Sequence, residues 1–575
     1  MSLDIPPLPP MHQPPPRHPE RVERFATDLL AVAATVSDVG VFVRTDAVIE
    51  GWRGQSATAY AESLPPRGVA LSAMVNGLRF VVAGARRHAE HLRELERMDR
   101  DLAARHTRLR DLHSALVRDR SHAMFGGGEL ADRGAHLRAE IAAWSDDVLG
   151  VLRTERLVED AMRSVFSAVD DEHDLERLSD AGVGPGDLVR LARSPLLDPF
   201  ASDEDRRQWW AGLGELSQLA LISANPGLIT RRGGLPARAR DLANRTQLRQ
   251  DLLRLRSLQH PRAADRRLLR RLEALDRALL RAEGRRDPRT GALIPVQLWL
   301  YEPRAFEGDG RVAISIGDLD RADHLALQVP GLGNDLSDAG GLLDRMSDLH
   351  EASTSADDQS GTVAALTWVG YDAPDNLPPD GLDWLGVVSP ELAQDGGEFL
   401  SQDLEDLLGS RSDDPHVSVI GHSYGSTTVA QAAAGAGLPG ADETVLVGSP
   451  GPGPGITQAS DLGQDPSHVW VGNDSLDPVS LTADNGAWSF GDPLGVYGHG
   501  ADVAGEDFGG IRFGAESPHL GNTPSLGHHQ NYFTPGSESL ANIAEIVVGD
   551  HDDVHVSAPV HDGLLTPTWD PEWSR

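Results

Sequence analysis

At 575 residues, with no cysteine and 87 acidic side chains against 52 basic ones, the chain is too long for one ordinary core and cannot use disulfides, thiolate metal sites or a cysteine nucleophile. Residues 291–575 hold 45 Asp and Glu against 7 Arg, whereas residues 1–290 are close to neutral, so charge alone argues for a boundary between two kinds of domain. The acidic half is expected to repel nucleic acid and anionic membrane surfaces, and because every basic residue is arginine, lysine chemistry is excluded as well.

Residues 1–20, "MSLDIPPLPPMHQPPPRHPE", are proline-rich and read as an extended, flexible tail with neither the basic nor the apolar region of a secretory leader. Residues 21–290 read as an all-helical domain. "RVERFATDLLAVAATVSDVGVFV" repeats apolar residues at three and four, "EGWRGQSATAY" breaks the pattern, and a longer helical run follows from Leu71. The two helices form an antiparallel hairpin, with Trp52 expected to cap the core of the helical bundle and Gly54 to make its turn. Arginines in this half interleave with acids at helical spacing, as in "RELERMDRDLAARHTRLRD", which reads as solvated helix faces rather than a phosphate-binding stripe. Further helical stretches are expected at Leu137–Phe166 and Leu242–Glu283. No stretch reads as a membrane span, so the default expectation is a soluble, cytoplasmic protein.

At "GRRDPRTGALIP" the period changes. "VQLWLYEP", "RVAISIGD", "HLALQVPG", "TVAALTWVG", "HVSVIG", "ETVLVGSP" and "HVWVGND" follow as short β runs, with helical stretches such as Leu336–Leu349 and Pro390–Leu408 between the later ones. That alternation predicts an α/β domain over 291–550, a mostly parallel sheet with helices on both faces. Residues 551–575 read as an acidic tail, in which His551, His555 and His561 are solvated side chains rather than a metal site.

Within the α/β half, "HVSVIGHSYGSTTVAQAAA" places Ser423 between Gly421 and Gly425, after a β-branched run and before a small-residue helix. This is the context required of a nucleophile elbow. A serine hydroxyl needs a histidine base and an acid to orient it, in the chain order Ser, Asp, His. "VWVGNDSLDPVS" offers Asp477, favoured because Pro478 fixes its loop, with Asp474 as the alternative. "PSLGHHQNYFTPGSESLANIAEIVV" offers His529 as base with His528 as fallback. The backbone N–H groups of Tyr424 and Leu332 are the expected oxyanion donors, with Gly331 freeing the turn after the third strand. Neither a metal nor an organic cofactor is required, and the expected substrate is a small acyl compound.

"LQVPGLGND", "VIGHSYGSTTVAQA", "VLVGSPGPG", "VGNDSLDPVS", "PLGVYGHGADVAGEDFGGIRFGAES" and "GHHQNYF", six blocks in order, resemble an actinobacterial α/β-hydrolase family of unknown function over roughly residues 291–548. The resemblance implies an α/β-hydrolase fold with Ser423 as nucleophile, Asp477 as acid and His529 as base. "GWRGQSATAY" resembles the Trp-x-Gly helical-hairpin proteins of type VII secretion, which implies a helical protein partner and export. Here the chain departs from the pattern. The Tyr-x-x-x-Asp/Glu export signal is missing after the second helix, and Tyr371 with Asp375 has its spacing only in the α/β half. Two functions therefore compete: a serine esterase, or less readily an amidase, and a secretion-associated effector or interaction protein whose helical half binds a partner.

Overall fold

The computed structural model describes residues 6–45, 52–122, 127–167, 194–230, 233–287, 289–306, 309–357, 361–373, 390–480 and 500–557. The chain divides into two compact units, Met1–Leu228 and Ile229–Arg575.

The first unit is built on three helices, α1 (Pro19–Thr45), α2 (Gln55–His122) and α3 (Gly127–Ser167). In α2, Leu95, Leu102, Leu109 and Leu116 are buried seven residues apart. In α3, Leu137, Trp144, Val151 and Val158 repeat the same interval. A strict seven-residue repeat on two antiparallel helices is the seam of a coiled coil. Trp144 fills it with its ring and donates its Nε1–H to the Leu102 carbonyl at 3.0 Å. Helix α1 packs through Ala26 against Val82 and Ala85 of α2.

Three expectations change here. The proline-rich segment is not a free tail: Leu8 packs on the α2–α3 seam, His106 Nε2 lies 2.9 Å from Pro9 O, and Arg17 pairs with Asp99 and Glu155. Trp52 does not cap a core but stays 41% exposed beside the Tyr60 ring, with Gly54 at φ +112° opening α2. The span Pro19–Val43 is long and apolar enough to cross a membrane, because four of its six charges fall in its first six residues. Shorter helices α4 (Asp203–Ala211), α5 (Glu215–Ala224) and α6 (Pro226–Thr230) lead to the division.

The second unit holds helices α7 (Ala237–Ser257) and α8 (Ala263–Ala282) and then eight strands: β1 (Val296–Glu302), β2 (Arg311–Ile316), β3 (His324–Val329), β4 (Val363–Val369), β5 (His416–His422), β6 (Glu443–Val447), β7 (Val469–Gly472) and β8 (Ile511–Arg512). They form one sheet in the order β1-β2-β4-β3-β5-β6-β7-β8. The β1–β2 and β2–β4 pairs are antiparallel, and the rest are parallel. This is the α/β-hydrolase fold. Side chains alternate between faces as the pleat requires. Ala365, Val369 and Ile420 join a core with helices α9 (Ala339–Ala356) and α13 (Glu538–Val548). Leu366, Trp368, Val417 and Val419 join the opposite core with α10 (Pro390–Leu408) and α11 (Tyr424–Ala434).

The division falls at 228/229, not at the 290/291 step in composition, because α7 and α8 belong to the sheet. Strand β1 is an edge, and an edge leaves backbone groups to be satisfied. Helix α7 satisfies them with side chains. Asn244 donates to the carbonyls of Leu298 and Trp299, Asp241 accepts from Leu298 N–H, and Arg245 donates to the Val296 carbonyl. Asp320 in turn accepts from the first backbone N–H groups of α7. The C-terminal segment is likewise less free than its composition suggests. Val554 is buried in the core, and Gly514 and Ser557 bond across to the His555 and Arg512 carbonyls, while residues 558–575, including His561, lie outside the described residues.

These contacts decide where the chain can be cut. Leu248, Leu252, Leu255, Leu272, Leu275 and Leu279 of α7 and α8 are all buried in the first of the two cores. At about 1.5–3 kcal/mol each they represent on the order of 10 kcal/mol, comparable with the whole stability of a domain. A chain beginning at Ile229 is expected to unfold cooperatively, and one beginning at Gly291 to be aggregated or molten. Circular dichroism melts of the two truncations check this, and a cooperative transition in the shorter one would contradict it.

Candidate active site

Ser423 follows the last residue of β5 and is the N-cap of α11, with φ 58° and ψ −134°. Positive φ is rare outside glycine and costs on the order of 1–3 kcal/mol, so the surroundings must enforce it. They do so by crowding. Ser423 N–H donates to the Val447 carbonyl of β6 at 3.0 Å, and Ser426 Oγ donates to the Ser423 carbonyl at 2.6 Å. Helix α11 lies so close to β3 that a β-carbon on Gly425 would stand 2.2 Å from the Val329 oxygen. The turn after β3 presses on the serine itself: a β-carbon on Gly331 would sit 2.5 Å from Ser423 Cβ and 2.8 Å from its Oγ.

Of the residues expected near the serine, Leu332 follows Gly331 and packs against the core, and Tyr424 is the first residue of α11. The turn carrying Leu332 is held from outside. Asn334 Nδ2 donates to the Gly331 and Leu332 carbonyls, and the Tyr371 hydroxyl donates to the Pro330 carbonyl at 2.8 Å. Tyr371 is buried there, which leaves it unfit to serve as an exposed export signal in the folded chain; Asp375 lies outside the described residues.

Asp474 and Asp477 stand on the loop after β7, and His528 and His529 on a short helix, α12 (Leu526–Gln530), before the last helix. The structure pairs them without crossing. His529 Nδ1 lies 2.8 Å from Asp477 Oδ2, and His528 Nδ1 lies 2.9 Å from Asp474 Oδ2. The two dyads differ in position. A β-carbon on Gly448 would lie 3.0 Å from Asp477 Oδ2 and 3.2 Å from His529 Nδ1, and Gly448 adjoins the Val447 carbonyl that receives the Ser423 N–H. The His529 ring stacks on His422, the residue before the serine, at 4.8 Å. His528 and Asp474 are both sealed from solvent, and among the described residues His528 Nε2 has no hydrogen-bond partner.

Two further side chains complete the arrangement. The Tyr532 hydroxyl donates to Asp477 Oδ2 at 2.8 Å and accepts the Asp474 N–H at 2.9 Å, tying the acid loop to the segment after α12. Burial alone would raise the Asp477 carboxyl. The charge and hydrogen bond of His529, the Val479 N–H and the Tyr532 hydroxyl overcome it and hold the carboxyl below its usual range. Burial, and then the adjacent Asp477, push the Tyr532 phenol upward, so it remains a donor. His422 is driven down to about 3 by burial first and His529 second; it is neutral, and its Nε2–H donates to the His529 carbonyl at 2.9 Å. Sequence reasoning missed His422 and Tyr532 as positioning residues. The variable position of Gly-x-Ser-x-Gly carries no chemical requirement of its own, and only the folded loop brings His529 over it.

Residues 306–486 match a protein-family model described as alpha/beta hydrolase. An uncharacterized protein of Mycobacterium tuberculosis strain H37Rv, Rv2079, is 34% identical over 401 residues, covering 64% of this chain and 58% of its own length. A second from the same strain, Rv0963c, is 32% identical over 165 residues, 28% of this chain and 58% of its own. The chain thus spans about 58% of the length of the curated relatives it matches. Among solved structures, esterase LipW from Mycobacterium marinum superimposes with a TM-score of 0.26 at 13% identity, covering 52% of this chain and 89% of that one.

The paired dyads separate two roles by mutation. Asp477→Asn is expected to slow modification of Ser423 by a fluorophosphonate probe about 10³–10⁴-fold, the effect of losing the acid that orients a catalytic imidazole. Asp474→Asn is expected to stay within about tenfold of the parent while lowering the melting temperature, since it weakens a buried pair other than the one bonded to His529. Equal losses in the two variants would mean that the second dyad takes part directly.

His422 sets an acid limit. Its folded value lies below the unfolded one of 6.5, so the unfolded chain binds the extra proton and stability falls as pH drops from 6.5 toward 3. One group contributes at most about 1.4 kcal/mol per pH unit. His422→Gln should flatten the fall of unfolding free energy between about pH 6 and pH 4 by up to that slope. Urea melts across that range measure it, and an unchanged slope would refute the assignment.

Proposed function

We propose that the α/β-hydrolase unit is a serine hydrolase that cleaves an ester, or less readily an amide, by acyl transfer. The observation that carries this reading is the strained Ser423 at the end of β5, with the Asp477–His529 dyad beside the backbone that anchors it. Ser423 Oγ attacks the substrate carbonyl carbon and its proton passes to His529 Nε2, since Nδ1–H is engaged by Asp477. The N–H groups of Tyr424 and Leu332 receive the oxyanion, aided by the positive end of α11. Collapse of the tetrahedral intermediate releases the alcohol, which takes the proton from His529. Water, deprotonated by His529, then attacks the acyl-enzyme, frees the acid and returns the proton to Ser423. The acidic surface favours small neutral acyl substrates over polyanions.

A second role belongs to the helical unit. Helix α1 exposes Phe25, Leu30, Val32, Val39, Val41 and Phe42, more apolar surface than a self-sufficient hairpin needs, which favours a helical protein partner for this unit, with export as a corollary.

Labelling of the purified protein with a fluorophosphonate tests the main reading. The full chain is expected to be labelled, and Ser423→Ala and His529→Ala to lose the signal while keeping their melting transitions. A folded parent chain that resists the probe would sink the proposal. Labelling that disappears from a folded chain lacking residues 1–228 would show that the helical unit serves catalysis, against its reading as a partner surface.

A further inference from the structure

The parallel strands end at the catalytic serine and begin at a second cluster of chemically capable side chains. His416 is the first residue of β5, Glu443 the first of β6, and His468 immediately precedes β7. His551 reaches the same place from the turn after α13. These residues lie at the amino-terminal edge of the sheet, about 20 Å from Ser423 along β5.

Glu443 is 1% exposed, and the groups around it are histidines and an indole rather than an arginine. Trp470 Nε1–H donates to Oε2 at 2.7 Å and fixes the carboxylate plane. The other oxygen, Oε1, faces two rings: His468 Nδ1 at 2.8 Å and His551 Nε2 at 3.1 Å. His551 Nε2 is buried, and its approach to Oε1 lacks the alignment of a hydrogen bond. One ligand atom from each of His416, Glu443 and His551 lies within 4.8 Å of the others, and the His416 ring is held by the Ile546 carbonyl, 3.2 Å from its Nε2.

We propose that His416, Glu443 and His551 form a divalent transition-metal site, with zinc as the fitting ion, and that the site clamps the segment after the last helix to the base of the sheet. Two imidazoles and one carboxylate are a zinc donor set, whereas calcium and magnesium demand oxygen ligands. Tetrahedral zinc at about 2.0–2.2 Å from each donor needs ligand atoms about 3.4 Å apart. The His551–Glu443 separation is already near that value, and the His416 ligand atom lies within 4.8 Å of both. Half-exposed His468 bonds the same carboxylate oxygen but stands outside the three-residue cluster, so water takes the fourth position, and Trp470 supplies the orienting outer bond that metal-bound carboxylates use. The hydrolytic mechanism does not draw on this site.

The test uses the full-length, tag-free protein stripped with a chelator. Calorimetric titration with zinc chloride is expected to give one equivalent of tight binding and a raised melting temperature. Cobalt(II) is expected to give the visible absorption of a tetrahedral site. His551→Ala and His416→Ala, both at partly exposed positions, should each weaken zinc binding at least about tenfold and remove the thermal increment. His555→Ala, whose ring pairs with Glu538, should leave binding unchanged. Fluorophosphonate labelling should be indifferent to the chelator, which keeps this result separate from the fate of Ser423. Absence of stoichiometric binding, or binding that survives in both ligand variants, overturns the proposal.

Discussion

The backbone of a single residue sets the terms for the rest of the α/β unit. Holding Ser423 at positive φ is unfavourable by itself, and the conformation persists because three segments converge on it. Strand β6 accepts its N–H, the first turn of α11 accepts no Cβ at Gly425, and the turn after β3 accepts none at Gly331. Each contact exists only if β3, β5 and β6 are neighbours in register. The sheet order β4-β3-β5-β6 is therefore a precondition of this backbone conformation.

Charge in this site is controlled from a small polar core. Asp477 is fully buried yet ionised, because it accepts hydrogen bonds from His529, Tyr532 and a backbone N–H. Tyr532 links the two acids of the loop after β7, donating to the Asp477 carboxylate and accepting the Asp474 N–H. The second dyad, Asp474–His528, fills the adjacent space with a pair of similar shape, sealed from solvent. One pair is set beside the backbone that anchors Ser423 and the other keeps the loop in place.

The opposite end of the same strands shows how the sheet uses its ends differently. At the carboxyl end, loops deliver reactive groups to a common point, the general habit of open α/β sheets. At the amino end, the side chains that open β5 and β6 gather around a buried carboxylate and meet the returning C-terminal segment. At the antiparallel edge, α7 does the work of a missing strand by offering side-chain donors and an acceptor to β1. All three are backbone or carboxylate groups that could not remain unpaired in the interior.

Periodicity and local turn chemistry were sufficient to reveal the α/β class, the strand runs and the strand–serine–helix context of Ser423. Those signals are short-range: alternation over five to seven residues, small residues flanking a turn, and an acid and a histidine after strand ends. Which acid pairs with which ring, Asp477 with His529 and Asp474 with His528, was left open by sequence because adjacent residues on a loop differ only in direction. Tertiary packing decides it, since Gly448 leaves room for one dyad beside β6. The same holds for the domain division. Helices α7 and α8 carry the arginine-rich composition of the helical half on their outer faces, but their buried leucines join the core of the sheet and the Asn244 amide reaches β1, and which core an amphipathic helix joins is not written in its period. His551 makes the point most plainly: in sequence it is one polar residue in an acidic stretch, and only the fold sets it 3.1 Å from a buried glutamate 108 positions earlier. Sequence alone fixes what is carried by neighbours along the chain, and the contacts that choose between equivalent partners arise only when distant strands close on one another.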